Sequence, residues 1–149
     1  MRRLLVLMII PAALVACGGK QLYTERDLRE VKQTYAVLVP LYLDFRTAYR
    51  RGDGHEMVED YRREQRVCRA VDSIDKRDTI DPNTNLFQVS AGLDNLCNDI
   101  ESVYAAWEKA HGKPYDKRVI PAFASEAFQG TDKELKDMRK DLRHPSALS

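Results

Sequence analysis

Two stretches of this chain repeat apolar residues at alternating steps of three and four, and this spacing is the strongest constraint on the fold. Residues three and four apart share one face of an α-helix, so each stretch predicts an amphipathic helix with one buried stripe. No segment alternates apolar and polar residues as a half-buried strand would. The two stripes are Leu28, Val31, Tyr35, Leu38, Tyr42, Phe45 and Tyr49, and Leu86, Val89, Leu93, Leu96, Ile100, Val103 and Trp107.

A further helix is predicted between these two, from about His55 to Lys76. Glu64 and Gln65 interrupt its apolar seam, so we expect this helix to be the least buried. The preceding Arg51-Gly-Asp-Gly54 is typical of a turn that ends the first helix, although its Arg-Gly-Asp tripeptide also occurs in cell-adhesion motifs. The inward residues of this helix are Met57, Val58, Tyr61, Cys68, Val71 and Ile74.

The C-terminal third has shorter apolar patterns. Residues 119–128 predict a short helix near Pro121, and Thr131 to Glu134 resemble a capping box that opens a last helix before Pro145. The fold class predicted from these patterns is all-α: an antiparallel bundle of three main helices with one or two short C-terminal helices packed on it.

The first seventeen residues carry a targeting pattern. Arg2 and Arg3 are followed by an apolar run, Leu4 to Ala13, which is shorter than the roughly 20 residues that a membrane-spanning helix needs. With Leu14 to Cys17, the pattern resembles the signal peptide and lipobox of bacterial lipoproteins. An ordinary secretory signal is the alternative.

The resemblance implies cleavage between Ala16 and Cys17 and a lipid on the Cys17 thiol, which would hold the protein to the membrane. By similarity to enterobacterial sorting, Gly18 after the cysteine implies the outer membrane, with the domain facing the periplasm. The implied divisions are a cleaved signal peptide (1–16), a lipidated tether (17–23), one helical domain (24–144) and a C-terminal tail (145–149).

Once the resemblance assigns Cys17 to lipid, Cys68 and Cys97 remain, and an exported protein meets an oxidising compartment in which paired thiols form disulfides. Their midpoint falls in the predicted loop between the second and third helices, so both lie at the same height in an antiparallel hairpin. We expect a structural bridge that closes a loop of roughly 30 residues and stabilises the fold by about 3–4 kcal/mol.

No arrangement of residues predicts catalysis, a metal site or a cofactor. The formal net charge is +1 and the charges are interspersed, which gives no nucleic-acid footprint. The chain has no GxSxG elbow, no phosphate-binding glycine loop and no histidine pair at metal spacing. Asp81, Asn83 and Asn85 have the spacing of the first calcium ligands of an EF-hand, but Leu86 and Gly92 stand where that loop needs glycine and glutamate.

Three tyrosines, Tyr35, Tyr42 and Tyr49, recur every seven residues on the first helix. One interpretation places them in the core with their hydroxyls at its rim. The other is a partly open groove that accepts a helix of a partner protein, because amphipathic aromatic rings tolerate both water and burial.

The predicted function is a membrane-anchored, non-enzymatic binding or assembly factor with an envelope protein as its partner. In size, lipobox and expected architecture the chain is similar to the pilotins of type II secretion, which bind a helical tail of the secretin. An envelope immunity protein or inhibitor fits the same pattern. The alternative class is a small-molecule carrier with a ligand pocket lined by the tyrosines and Trp107.

Overall fold

The computed structural model describes residues 21–77, 79–109, 128 and 131–147. Within these ranges the chain forms four helices and no strand: α1 (Glu25–Arg51), α2 (Gly54–Asp75), α3 (Asn85–Lys109) and α4 (Thr131–Asp141). The predicted all-α bundle of three long helices with a short C-terminal helix is confirmed. The signal peptide, Cys17 and most of the predicted helix near Pro121 lie outside the described residues.

Local hydrogen bonds fix both ends of α1. Thr24 and Asp27 form a capping box, in which the Asp27 amide donates to the Thr24 hydroxyl over 3.1 Å and the Thr24 amide donates to the Asp27 carboxylate over 2.9 Å. Gly52 ends the helix with a φ of 74°, which glycine adopts without strain. Asp53 then caps α2, so the Arg-Gly-Asp sequence is a turn between two antiparallel helices.

The core lies between α1, α2 and α3, and the predicted apolar stripes line it. Most stripe residues of α1 and α3 are buried, while Leu28, Tyr35 and Trp107 pack partly exposed at its edge. The Cys68–Cys97 disulfide joins α2 to α3 with 5.8 Å between the two Cα atoms, which confirms the predicted pair. The most fully buried of the core side chains are Val31, Leu38, Tyr42, Phe45, Ala48, Met57, Leu86, Val89 and Leu96.

Helix α4 packs on α3, where Gly92 leaves room for the Met138 side chain. Its first residue is tied to α1, because the hydroxyls of Thr131 and Tyr42 share a buried hydrogen bond of 3.0 Å. The Glu134 carboxylate, expected to close a capping box, accepts a hydrogen bond from Asn95 of α3 over 3.2 Å. Contacts with α1 and α3 therefore hold α4 in position.

Both ends of the described chain meet at the end of the bundle that carries the α2–α3 loop. The Asp81 amide donates to the Leu22 carbonyl over 2.7 Å, and the Asn85 amide donates to the Ala147 carbonyl over 2.9 Å. Contacts of the domain thus extend from Leu22 to Ala147, beyond the predicted limits of 24 and 144. Within the ranges given above, no helix is both long and apolar enough to cross a membrane.

Candidate functional site

A cleft of about 450 Å³ opens at the surface between α2 and α3, beside the disulfide. Its rim is formed by exposed side chains such as Gln65 and Asn98, so it is a groove open to solvent. The lining residues are Tyr61, Glu64, Gln65, Cys68, Arg69 and Asp72 of α2 and Asp94, Cys97, Asn98, Ile100 and Glu101 of α3.

The rim follows from one polar stripe on each helix. Steps of four and then three residues keep side chains on a single helix face, and both helices place polar residues at these steps next to their bridging cysteine. The disulfide holds the two stripes opposite each other across the cleft. They consist of Gln65, Arg69 and Asp72 on α2, and of Asp94, Asn98 and Glu101 on α3.

Glu64 lies at the base of the cleft and is only 1% exposed. Neither of its carboxyl oxygens has a hydrogen-bond partner within the described part of the chain. Burial, reinforced by the nearby carboxylates of Asp60 and Asp44, raises the pKa of Glu64 to about 9. At neutral pH the side chain is therefore a protonated carboxyl in the core, with no hydrogen-bond partner from the described residues.

Asp60 lies one helical turn before Glu64 and is also buried. One of its carboxyl oxygens is 3.6 Å from an Arg63 nitrogen, and the other has no partner among the described residues. Burial and the neighbouring Glu56 raise the pKa of Asp60, against the opposing effect of Arg63. α2 thus turns two carboxyl groups inward on one face.

The charges around the cleft are predominantly negative. Besides the neutral Glu64, three acidic side chains line it, and among the described residues they face one arginine, Arg69. The Arg69 Nε donates to the Gln65 carbonyl of its own helix over 3.3 Å. On the opposite side of the cleft, and within α3, Nδ2 of Asn98 donates to the Asp94 carboxylate over 3.0 Å. The cleft is therefore suited to a positively charged group.

Aromatic rings close one end of the cleft. The Tyr61 ring of α2 stacks on Tyr104 of α3 with centroids 3.7 Å apart, and Gln65 donates to the Tyr61 hydroxyl over 2.8 Å. Trp107 packs against Tyr104, and its indole nitrogen is buried with no hydrogen-bond partner in the described ranges. These stacked rings join α2 to α3 at one end of the cleft, and the disulfide joins the two helices about midway along it.

The tyrosines predicted to line a partner groove lie elsewhere. Tyr42 is fully buried, Tyr49 is 6% exposed, and both rings contact Phe128. Only Tyr35 remains partly exposed at the edge of the core. Of the two interpretations, the groove is wrong for Tyr42 and Tyr49, because Phe128 packs on both rings and the Thr131 hydroxyl bonds to that of Tyr42. Both residues belong to the core, as the other interpretation expected.

The residues with partial calcium-loop spacing form the start of α3. Both the amide and the side-chain nitrogen of Asn83 donate to the Asp81 carboxylate over 3.0 Å. The Thr84 hydroxyl accepts from the Phe87 amide, which caps the helix. No cluster of three or more potential ligands for a metal ion occurs among the described residues.

The sequence singled out Glu64 only as an interruption of an apolar seam. We expected α2 to be the least buried helix, and of the three long helices it does have the fewest buried residues among those described. Glu64 itself, however, is buried. Its methylene groups pack in the core, and its carboxyl is buried in the neutral form. The sequence did contain a signal for this buried carboxyl: Glu64 occupies a position that the apolar spacing of α2 assigns to the core.

Comparison with known proteins found no match to a family model, to a curated protein or to a solved structure.

Proposed function

We propose that this chain is a lipid-anchored, non-enzymatic binding module of the bacterial cell envelope, and that the cleft between α2 and α3 receives a segment of an envelope protein. The observation that carries the proposal is the cleft itself, which is open, rich in acidic groups and built over a buried carboxyl that has no hydrogen-bond partner among the described residues.

The shape and lining of the cleft favour a protein partner over a small-molecule ligand. Carrier pockets enclose most of their ligand and are lined mainly by apolar side chains. Here exposed polar residues form both rims, and two of the tyrosines expected to line an enclosed pocket, Tyr42 and Tyr49, are packed against Phe128 instead. A groove of this kind suits an extended or helical segment whose polar side chains meet the rims.

The anchor is proposed from the lipobox pattern of Leu14 to Cys17. The chain from Cys17 to Leu22 spans at most roughly 17 Å when extended, and Leu22 is bonded to the α2–α3 loop. A lipid on Cys17 would therefore keep this end of the bundle next to the membrane. Glu64 lies eleven residues before the end of α2, roughly 15 Å along the helix, so the cleft would face sideways a short distance from the lipid surface.

Tethering of this kind raises the effective concentration of the cleft towards membrane-bound partners. Delivery of an outer-membrane protein, as in pilotins, and inhibition of an envelope protein are both roles of this class. We propose that the domain faces the periplasm from the outer membrane.

Site-specific photocrosslinking tests the proposed function. A photoreactive amino acid is placed at Gln65 or Asn98 on the two rims, and at Lys32, an exposed residue of α1, as a matched control. In living cells of the producing bacterium, both rim positions should crosslink to the same envelope protein, and Lys32 should not. Equal crosslinking from all three positions, or none from either rim, would refute the assignment of the cleft.

The anchor is tested separately. Mass spectrometry of the mature N-terminus should find an acylated Cys17, and Cys17→Ser should release the protein from membranes and reduce the rim crosslinks. An intact peptide that spans Ala16 and Cys17 in the mature protein would refute the anchor while leaving the cleft open to its own test.

A further inference from the structure

We infer that a lysine or arginine side chain of the partner enters the α2–α3 cleft and pairs with Glu64 at its base. This inference rests on the proposed function and specifies its chemistry: the docking segment is cationic, and Glu64 is the buried residue that recognises it.

The first support is the Glu64 carboxyl, which is buried and has no hydrogen-bond partner in the described residues. Buried polar groups are nearly always hydrogen-bonded, because an unsatisfied one destabilises the fold. Glu64 also lines the cleft, so a small rotation of its flexible side chain brings the carboxyl to a group seated there. A ligand with hydrogen-bond donors would satisfy the carboxyl oxygens that the described residues leave unpaired.

The second support is the charge of the rims. Asp72, Asp94 and Glu101 line the cleft, and Arg69 is the one cation among its described lining residues. A cation is therefore attracted to the cleft before it reaches Glu64. Tyr61 adds an aromatic ring to the lining, which favours a cation further.

The kind of cation follows from how the acidic groups are spread. The carboxyl groups line the cleft from two helices, and no group of three or more potential ligands in the described part of the chain converges on a metal position. A long side chain that ends in a guanidinium or ammonium group has several N–H donors. These donors can reach acceptors that are separated along the cleft.

Binding of this cation is coupled to loss of a proton. Glu64 is protonated at pH 7 because burial raises its pKa to about 9, and an incoming positive charge favours the carboxylate. Each cation bound should release about one proton, and the affinity should rise about tenfold per pH unit below pH 9. The charged groups that face Glu64 or share its cleft are Asp44 of α1, Asp60, Arg69 and Asp72 of α2, and Asp94 and Glu101 of α3.

The test uses the mature full chain in a mild non-ionic detergent, with a tetra-arginine peptide amide as the probe and a tetra-citrulline peptide as its uncharged counterpart. Titration calorimetry in two buffers of different ionisation enthalpy measures affinity and proton release at pH 6, 7 and 8. Backbone amide shifts at Gln65 and Asn98 locate the binding. We expect the arginine peptide to bind in the cleft with release of about one proton, and the citrulline peptide not to bind.

Two variants distinguish recognition by Glu64 from general attraction to acidic rims. Glu64→Gln should weaken the arginine peptide about tenfold or more at pH 8 and abolish proton release. Glu101→Gln, the same change at an exposed rim position, should weaken it only about twofold and keep proton release.

Equal affinity and proton release in Glu64→Gln and the unmodified chain would overturn the inference, as would binding without shifts at the rims. The proposed function is judged independently by photocrosslinking. A partner recovered from both rims, with no effect of Glu64→Gln on that crosslink, would keep the binding module and remove the cationic docking residue.

Discussion

Replacing Glu64 by glutamine should stabilise this protein, and the gain should grow with pH. In the unfolded chain the carboxyl titrates near its ordinary pKa of 4.5, whereas burial raises the pKa in the folded chain to about 9. Between these two values the unfolded state releases the proton and the folded state keeps it. The folded state therefore loses about 1.4 kcal/mol relative to the unfolded state for each pH unit.

The sign and size of the effect follow from this difference. Below pH 4.5 both states hold the proton, so the glutamine variant and the unmodified chain should be about equally stable. At pH 7, about two and a half pH units higher, the variant should be more stable by about 3 kcal/mol. For a domain of this size that corresponds to a melting temperature roughly 10 °C higher.

Denaturant titrations of both proteins at several pH values from 4.5 to 8 measure this dependence. Glu101→Gln makes the same chemical change at an exposed position of the same cleft, and its difference from the unmodified chain should stay within about 0.5 kcal/mol throughout. If the free energy of unfolding changes with pH by the same amount in Glu64→Gln and in the unmodified chain between pH 5 and 8, a buried, protonated Glu64 is refuted.

Three further predictions concern the fold. Replacing Cys68 and Cys97 together by serine should cost about 3–4 kcal/mol in a denaturant titration, because their bridge closes a loop across a sequence separation of 29; a cost below about 1 kcal/mol would contradict this. Gly54→Ala should cost about 1–3 kcal/mol in thermal melting and change the tryptophan fluorescence, because a Cβ there lies 2.8 Å from Cζ2 of Trp107. Thr24→Ala should cost about 1 kcal/mol, measured by urea unfolding, since it removes the hydroxyl that caps α1; an unchanged midpoint would show that the cap contributes nothing.

The helices and the disulfide could be predicted because their signals are local or simple. The apolar spacing of α1 and α3 is periodic. The turn between α1 and α2 follows from the conformational preferences of Gly52, which ends α1, and Asp53, which caps α2. The Cys68–Cys97 pair followed once the lipobox resemblance assigned Cys17 to lipid, and its symmetry about the α2–α3 loop supported it. Beyond that assignment, each of these inferences needs only the residues of one element or one hairpin.

The cleft could not be predicted, because it depends on how two helices face each other. The sequence shows Asp94 and Asn98 as ordinary polar residues, and only the packing of α3 against α2 brings them opposite Gln65. The groove interpretation of the tyrosines was wrong for a related reason. Whether Tyr42 lines a groove depends on residues far along the chain, and the Thr131 hydroxyl bonds to that of Tyr42.

The bonds at the start of α3 have a consequence for the order in which the chain is completed. The amides of Asn85 and Leu86 donate to the carbonyls of Ala147 and Pro145, which a ribosome adds long after α3 itself. Until those residues are added, the amides of Asn85 and Leu86 have to donate their hydrogen bonds to water. The end of the bundle that holds the α2–α3 loop is therefore the last to become fully bonded. A shortened copy that ends before Pro145 would keep all three long helices but leave these two donors without their carbonyl partners.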